Sequence, residues 1–229
     1  MSFAVAVWSV LAAGSIAVAS ACAAEPASGL NDLPVVALPP AKMGGGRMAI
    51  LVSGDGGWAG LVSTVSAALA ADGIGVAGLD SLRYFWSERS PEETTRDIER
   101  IAEHYARVWY ANRLTLIGYS FGADVLPMVV NRLRPDIRSR VDGLTLIAPS
   151  PVANFEVHVT GWLGVRHPGP ATVPELERLR GLPMVCIYGE SDGDSVCPLL
   201  PKGLARVEKL DGGHHFGGDF AAVAAHVLP

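Results

Sequence analysis

Apolar residues fall into two rhythms along this chain. Short apolar-rich runs recur over Arg47 to Ser53, Ile74 to Leu79, Leu114 to Ile117, Val141 to Ala148, Pro183 to Tyr188 and Ala205 to Leu210. Runs of this length, bounded by Gly, Pro and Asp, predict strands, most of them buried. Between them apolar residues return at helical spacing over Leu61 to Ala71, Ala123 to Arg134 and Asp219 to Val227. Ser90-Pro91-Glu92-Glu93 places an N-cap, a Pro at the first helical position and a Glu at the third, so it predicts the start of a long amphipathic helix reaching Tyr110. Strands alternating with helices predict an α/β fold with a mostly parallel central sheet and helices on both faces. Ligands of such sheets bind at the carboxyl ends of the strands. The segment 149–174 is rich in Pro and Gly and reads as an irregular, lid-like excursion over that edge, with a short helix from Pro174 to Leu179 following it.

The N-terminal pattern differs. Residues 3–21 carry no charge, and small residues at Ala21 and Ala23 fit signal-peptidase cleavage before Ala24. Residues 1–23 are therefore expected to be an export signal. The first basic residue is Lys42, so the usual positive start is missing. A lipoprotein attached at Cys22 and an uncleaved anchor are the alternatives. Residues 24–46 read as a Pro-, Ala- and Gly-rich linker, with room for one short edge strand from Val35 to Leu38. Residues 47–229 read as a single domain.

Composition narrows the reading further. The chain has 229 residues and a net charge of −5, with no Lys/Arg cluster of the kind that holds nucleic acid. If Cys22 leaves with the signal, Cys186 and Cys197 remain, and an even pair in an oxidising compartment predicts one disulfide. No spacing of His, Cys, Asp or Glu suggests a metal, and no cofactor motif is present.

The candidate chemistry sits in the loops after the strands. Gly118-Tyr119-Ser120-Phe121-Gly122 is a G-x-S-x-G between a predicted strand and a predicted helix, the context in which this motif carries a nucleophilic serine. Asp192 and Asp194 follow a later strand, and His214 and His215 the last one. Ser, then Asp, then His is the chain order of α/β-hydrolases. His214 is favoured over His215 as the base, whereas spacing does not separate Asp192 from Asp194. The backbone N–H of Phe121, at a helix start, would face a developing oxyanion. Gly54-Asp55-Gly56-Gly57 would supply a second N–H, from Asp55 or Gly56. No Gly-Lys-Ser/Thr follows that loop, which argues against phosphate cradling.

With these residues in view, the chain resembles the VirJ/AcvB family of exported bacterial proteins, in its short, VirJ-type form. The resemblance covers residues 45–228. It rests on Ser53 to Trp58, Gly78 to Trp86, Gly118 to Pro127, Cys186 to Gly189 with Asp194 to Cys197, and Gly212 to Phe216. It implies a periplasmic α/β-hydrolase that cleaves the aminoacyl ester of lysyl-phosphatidylglycerol at the membrane surface, with a link to virulence and type IV secretion proteins. A lysyl head is cationic, so a nearby carboxylate would help; Asp55, Asp80, Glu88 and Asp124 are candidates, with capping or bracing of the helix after Ser120 as the alternative role of Asp124. Trp58, Tyr84, Phe85, Trp86 and Trp162 are candidates for an apolar entrance, with plain packing as the more usual role of such aromatics. The competing functions are a non-catalytic binding factor for secreted proteins and a general carboxylesterase or peptidase.

Overall fold

A computed structural model of the chain describes Met1, residues 29–157 and residues 168–228. The expected export signal with Cys22, and the stretch holding His158, Trp162 and His167, lie outside the described residues. The strands are β1 (Val35–Leu38), β2 (Arg47–Val52), β3 (Gly75–Leu79), β4 (Arg113–Tyr119), β5 (Val141–Ile147), β6 (Met184–Gly189) and β7 (Arg206–Leu210). They form one sheet in the order β1-β3-β2-β4-β5-β6-β7. All neighbouring pairs are parallel except β1 with β3. The sheet thus reaches back into the segment read as a linker, where Leu30 and Leu33 are also buried.

The near-continuous apolar strands are explained by a core on each face of the sheet. Along β2, Met48, Ile50 and Val52 enter one core, and Ala49 and Leu51 enter the other. The helices α1 (Leu61–Ala71) and α7 (Phe220–Ala224) cover the second face. The first face is covered by α3 (Pro91–Val108), α4 (Phe121–Val130) and α6 (Thr172–Glu177). Two single-turn helices, α2 (Ser81–Tyr84) and α5 (Pro135–Arg138), were not anticipated, because one turn leaves no periodicity to read. The capping box of α3 forms as expected: Glu93 N–H donates to Ser90 Oγ at 3.1 Å, and Ser90 N–H donates to the Glu93 carboxylate at 2.8 Å. The segment 149–174 folds back on itself where described, with Val152 bridging Ala171 and Val157 N–H donating to Phe85 O at 2.8 Å.

Close approach at the β4–α4 turn depends on two residues without side chains. A Cβ on Gly122 would lie 2.2 Å from Val52 O, and one on Gly118 would lie 2.5 Å from Gly122 O. Both obstacles are backbone, so neither can swing aside. Gly122→Ala is expected to destabilise the fold by roughly 3 kcal/mol through overpacking, lowering Tm by about 6–12 °C. A thermal melt checks this; an unchanged Tm would show that β2 can move away from the turn.

Candidate active site

Ser120 is the pivot between β4 and α4. Its backbone has φ 51° and ψ −118°, a conformation unfavourable for a residue with a Cβ. It is held there on both sides. Ser120 N–H donates to Ile147 O at 2.8 Å, and Ser120 O accepts from Ala123 and Asp124 N–H at 2.8 and 3.1 Å. The turn lifts the hydroxyl above the carboxyl edge of the sheet, where Ser120 Oγ lies 2.8 Å from His214 Nε2. His214 Nδ1 lies 2.9 Å from Asp192 Oδ2. The Asp192 side chain is 5% exposed and that of His214 is 33% exposed. Asp192 is thus shielded while His214 opens on the cleft.

The two choices left open by spacing are separated by geometry. Asp192 N–H donates to Gly189 O at 2.8 Å, closing a turn whose aspartate reaches His214. Asp194 is exposed, and its N–H approaches the Asp192 carboxylate at 3.3 Å. His215 leaves the Ser120 line altogether, with Nδ1 2.7 Å from the hydroxyl of Tyr119. Acid and base loops meet through glycines: a Cβ on Gly189 would lie 2.1 Å from Gly213 O, and Ser191 N–H donates to Gly212 O at 2.9 Å. Cys186 in β6 is bonded to Cys197, at the start of a short 3-10 helix Cys197–Leu199. This buried bridge returns the acid loop to the strand that launched it.

The other wall of the cleft is the Gly54–Gly57 turn. Gly57 N–H donates to Gly54 O at 3.0 Å, which leaves the amides of Asp55 and Gly56 at the tip. The turn is anchored from below, where Ser81 N–H donates to Ser53 Oγ at 2.9 Å and Ser81 Oγ donates to Ser53 O at 2.7 Å. Phe121 opens α4 directly behind Ser120, so its N–H has no carbonyl one turn earlier in that helix. Ser120, His214, His215, Tyr119, Asp55 and Gly56 all line one open cleft of about 420 Å³, with Phe220 and the start of α1 opposite. Such an arrangement can polarise the serine hydroxyl, accept its proton and place amides beside an oxyanion.

The remaining residues singled out from sequence lie elsewhere. Trp58 packs on Gly78, where a Cβ would sit 2.0 Å from its ring, so it is a packing residue and does not line the cleft. Asp80 caps α2, accepting Arg83 N–H at 3.4 Å. Tyr84 and Phe85 are buried in the core, Trp86 is 61% exposed, and Glu88 is exposed; none of these lines the cleft. Asp124 is buried under α4, where its carboxylate accepts Ser150 N–H at 2.5 Å and so braces α4 against the loop after β5. Burial holds the Asp124 carboxyl well above the usual carboxylate range. Tyr119 and Phe220 were missed as cleft residues. Tyr119 occupies a variable position of the motif, and Phe220 carries no signal beyond its place in a helix. Among the described residues no group of His, Cys, Asp and Glu is placed to hold a metal ion.

The protein family described as bacterial virulence protein (VirJ) matches residues 46–229. No curated protein matches the chain. Among solved structures, Est1E from Butyrivibrio proteoclasticus with ferulic acid bound is similar at 12% identity and TM-score 0.61, over 85% of this chain and 92% of that one. MenH from S. aureus is similar at 14% identity and TM-score 0.61, over 83% and 95%. The thioesterase domain from the curacin biosynthetic pathway is similar at 16% identity and TM-score 0.55, over 85% and 94%. These likenesses establish the α/β-hydrolase fold.

Two outcomes are expected from this geometry. The native state binds the Asp124 proton more tightly than the unfolded chain does. Stability should therefore fall as pH rises from the ordinary carboxylate range toward the raised native value. Asp124→Asn keeps an acceptor for Ser150 and is expected to flatten that slope and to melt above wild type at neutral pH. Melts from about pH 4 to about pH 8 check this, and an unchanged slope would mean that Asp124 is ionised in the fold. Replacing Cys186 and Cys197 together by Ser is expected to cost about 3 kcal/mol, since the bridge closes a short loop. Chemical denaturation with and without reductant reads that difference.

Proposed function

The chain belongs to the VirJ family of bacterial virulence proteins, and we propose that it is an exported serine hydrolase that cleaves a carboxylic ester. The observation that carries this reading is the unbroken line from Asp192 through His214 to Ser120, with both hydrogen bonds under 3 Å and the serine on a strained turn. Ser120 Oγ attacks the ester carbonyl while His214 Nε2 takes its proton. Asp192 holds the imidazole by Nδ1–H and stabilises its charged form. The amides of Phe121 and of Asp55 or Gly56 receive the oxyanion. His214 then returns the proton to the departing alcohol, leaving an acyl group on Ser120. A water molecule, deprotonated by the same imidazole, releases the acid and restores the serine.

The substrate we propose is the aminoacyl ester of lysyl-phosphatidylglycerol at the outer side of the membrane. The resemblance of the sequence motifs to the VirJ/AcvB family supports it, and the carboxylate of Asp55 at the cleft suits a cationic acyl group. The Cys186–Cys197 bridge supports an oxidising compartment. No helix among the described residues is long and apolar enough to cross a membrane.

Lysine release from lysyl-phosphatidylglycerol in detergent tests reaction and substrate together. Wild type is expected to release lysine, and Ser120→Ala or His214→Ala to be slower by about 10,000-fold or more, because relay members act as a unit. Release of acid from simple esters but not of lysine would retain the hydrolase and discard the lipid. Equal release by wild type and Ser120→Ala would discard the nucleophile.

A further inference from the structure

The base loop needs more support than Asp192 gives it. Asp192 grips the ring of His214, but the backbone beneath runs Gly212-Gly213-His214-His215-Phe216-Gly217-Gly218. Four of these residues have positive φ: Gly212 at 90°, Phe216 at 53°, Gly217 at 59° and Gly218 at 87°. A glycine-rich strained turn has many ways to relax. Its downstream end is fixed by Phe216, whose side chain is buried beneath the sheet edge. Between the base and that anchor lies His215, and its partner comes from the nucleophile turn itself. Tyr119, the residue before Ser120, places its hydroxyl 2.7 Å from His215 Nδ1.

Tyr119 is well set to hold that position. Its ring lies against the oxyanion turn, where a Cβ on Gly54 would sit 3.3 Å from Tyr119 Cδ1. It also packs against the core that α1 and α7 share. Its hydroxyl stays protonated: burial first, then the charges of Asp55 and Asp192, push it up to about 12. With the phenol as donor, His215 Nδ1 accepts, and the ring in that tautomer carries its own proton on Nε2. The rings of His214 and His215 stand nearly perpendicular, 83° apart with centroids at 5.3 Å, so the neighbour cannot take over His214's hydrogen bond to Ser120 without turning away from Tyr119.

We propose that Tyr119 and His215 are positioning residues, a second clamp that ties the base loop to the nucleophile turn and keeps His214 Nε2 in line with Ser120 Oγ. The inference rests on the serine-hydrolase reading above and assigns His215 a role other than base. Three loops then move as one unit through Tyr119: the oxyanion turn on its ring, the nucleophile on its own backbone, and the base through its hydroxyl.

The test is the reaction of Ser120 with a fluorophosphonate probe, beside the kcat and KM of p-nitrophenyl butyrate hydrolysis, with melts to confirm folding. Tyr119→Phe removes only the donor. It is expected to lower probe reactivity and kcat by about ten- to a hundredfold with KM within about twofold, as misalignment does. His215→Ala should lose the same factor, and the double variant no more than either. His215→Asn, whose amide oxygen can occupy the Nδ1 position, should recover most of the lost rate. A Tyr119→Phe variant with wild-type kcat overturns the clamp. So does a His215→Asn variant as slow as His215→Ala, or an effect confined to KM, which would make His215 a substrate contact. Complete loss in both His215 variants would make it the base. Failure of wild type to react with the probe would instead sink the serine-hydrolase reading beneath.

Discussion

The arrangement depends on one steric constraint: strand, turn and helix must pass within backbone contact at Gly118 and Gly122. Only that closeness lets Ser120 turn through positive φ and present its hydroxyl above the sheet. The conformation is unfavourable by itself, by an amount on the order of 1–3 kcal/mol. It persists because Ile147 O on one side and the first turn of α4 on the other hold its backbone. The parallel sheet does the rest, since β2, β4 and β7 end at the same edge and deliver three separate loops to one cleft, while the loop after β6 brings Asp192 to His214 from behind it.

Stiffness at that edge comes from unlike bonds placed between adjacent loops. Ser81 donates two hydrogen bonds to Ser53 under the oxyanion turn. Asp124 joins α4 to Ser150, and the neighbouring Pro149 accepts Val196 N–H at 3.0 Å from the acid loop. The disulfide then returns that loop to β6. The hydrogen-bonded partners come from separate loops of the chain, so the cleft is braced from several directions at once. A preorganised cleft of this kind spends little on reorganisation when charge develops.

Much of this was legible in the residues. The buried strands announced themselves by their apolar runs, α3 by its capping box, and the strained turn at Ser120 by its flanking glycines. Asp192 and Asp194 could not be told apart, because the choice is made by which side chain faces inward once Asp192 N–H closes on Gly189. The two histidines were harder, since the deciding partner, Tyr119, lies almost a hundred residues earlier and holds His215 through a side-chain bond. Trp58 was open to two readings, a cleft aromatic or a packing residue. It packs on Gly78 because a glycine in the adjacent strand leaves a hole the size of an indole, and no local pattern in the sequence reports such a pairing. Asp124 could be read as a substrate carboxylate or as a brace for its helix, and its helical position turns it inward toward Ser150, where it braces.

The hydrogen bond between Ser120 and His214 spans 94 residues of chain. During synthesis the serine therefore emerges long before its base, and β6 and β7 must both be laid onto the sheet before the two meet. On the mechanism proposed above, an unfinished chain would hold the serine without the imidazole that activates it. The last strands added to the sheet would then arm the molecule, and a partly folded copy would stay chemically silent.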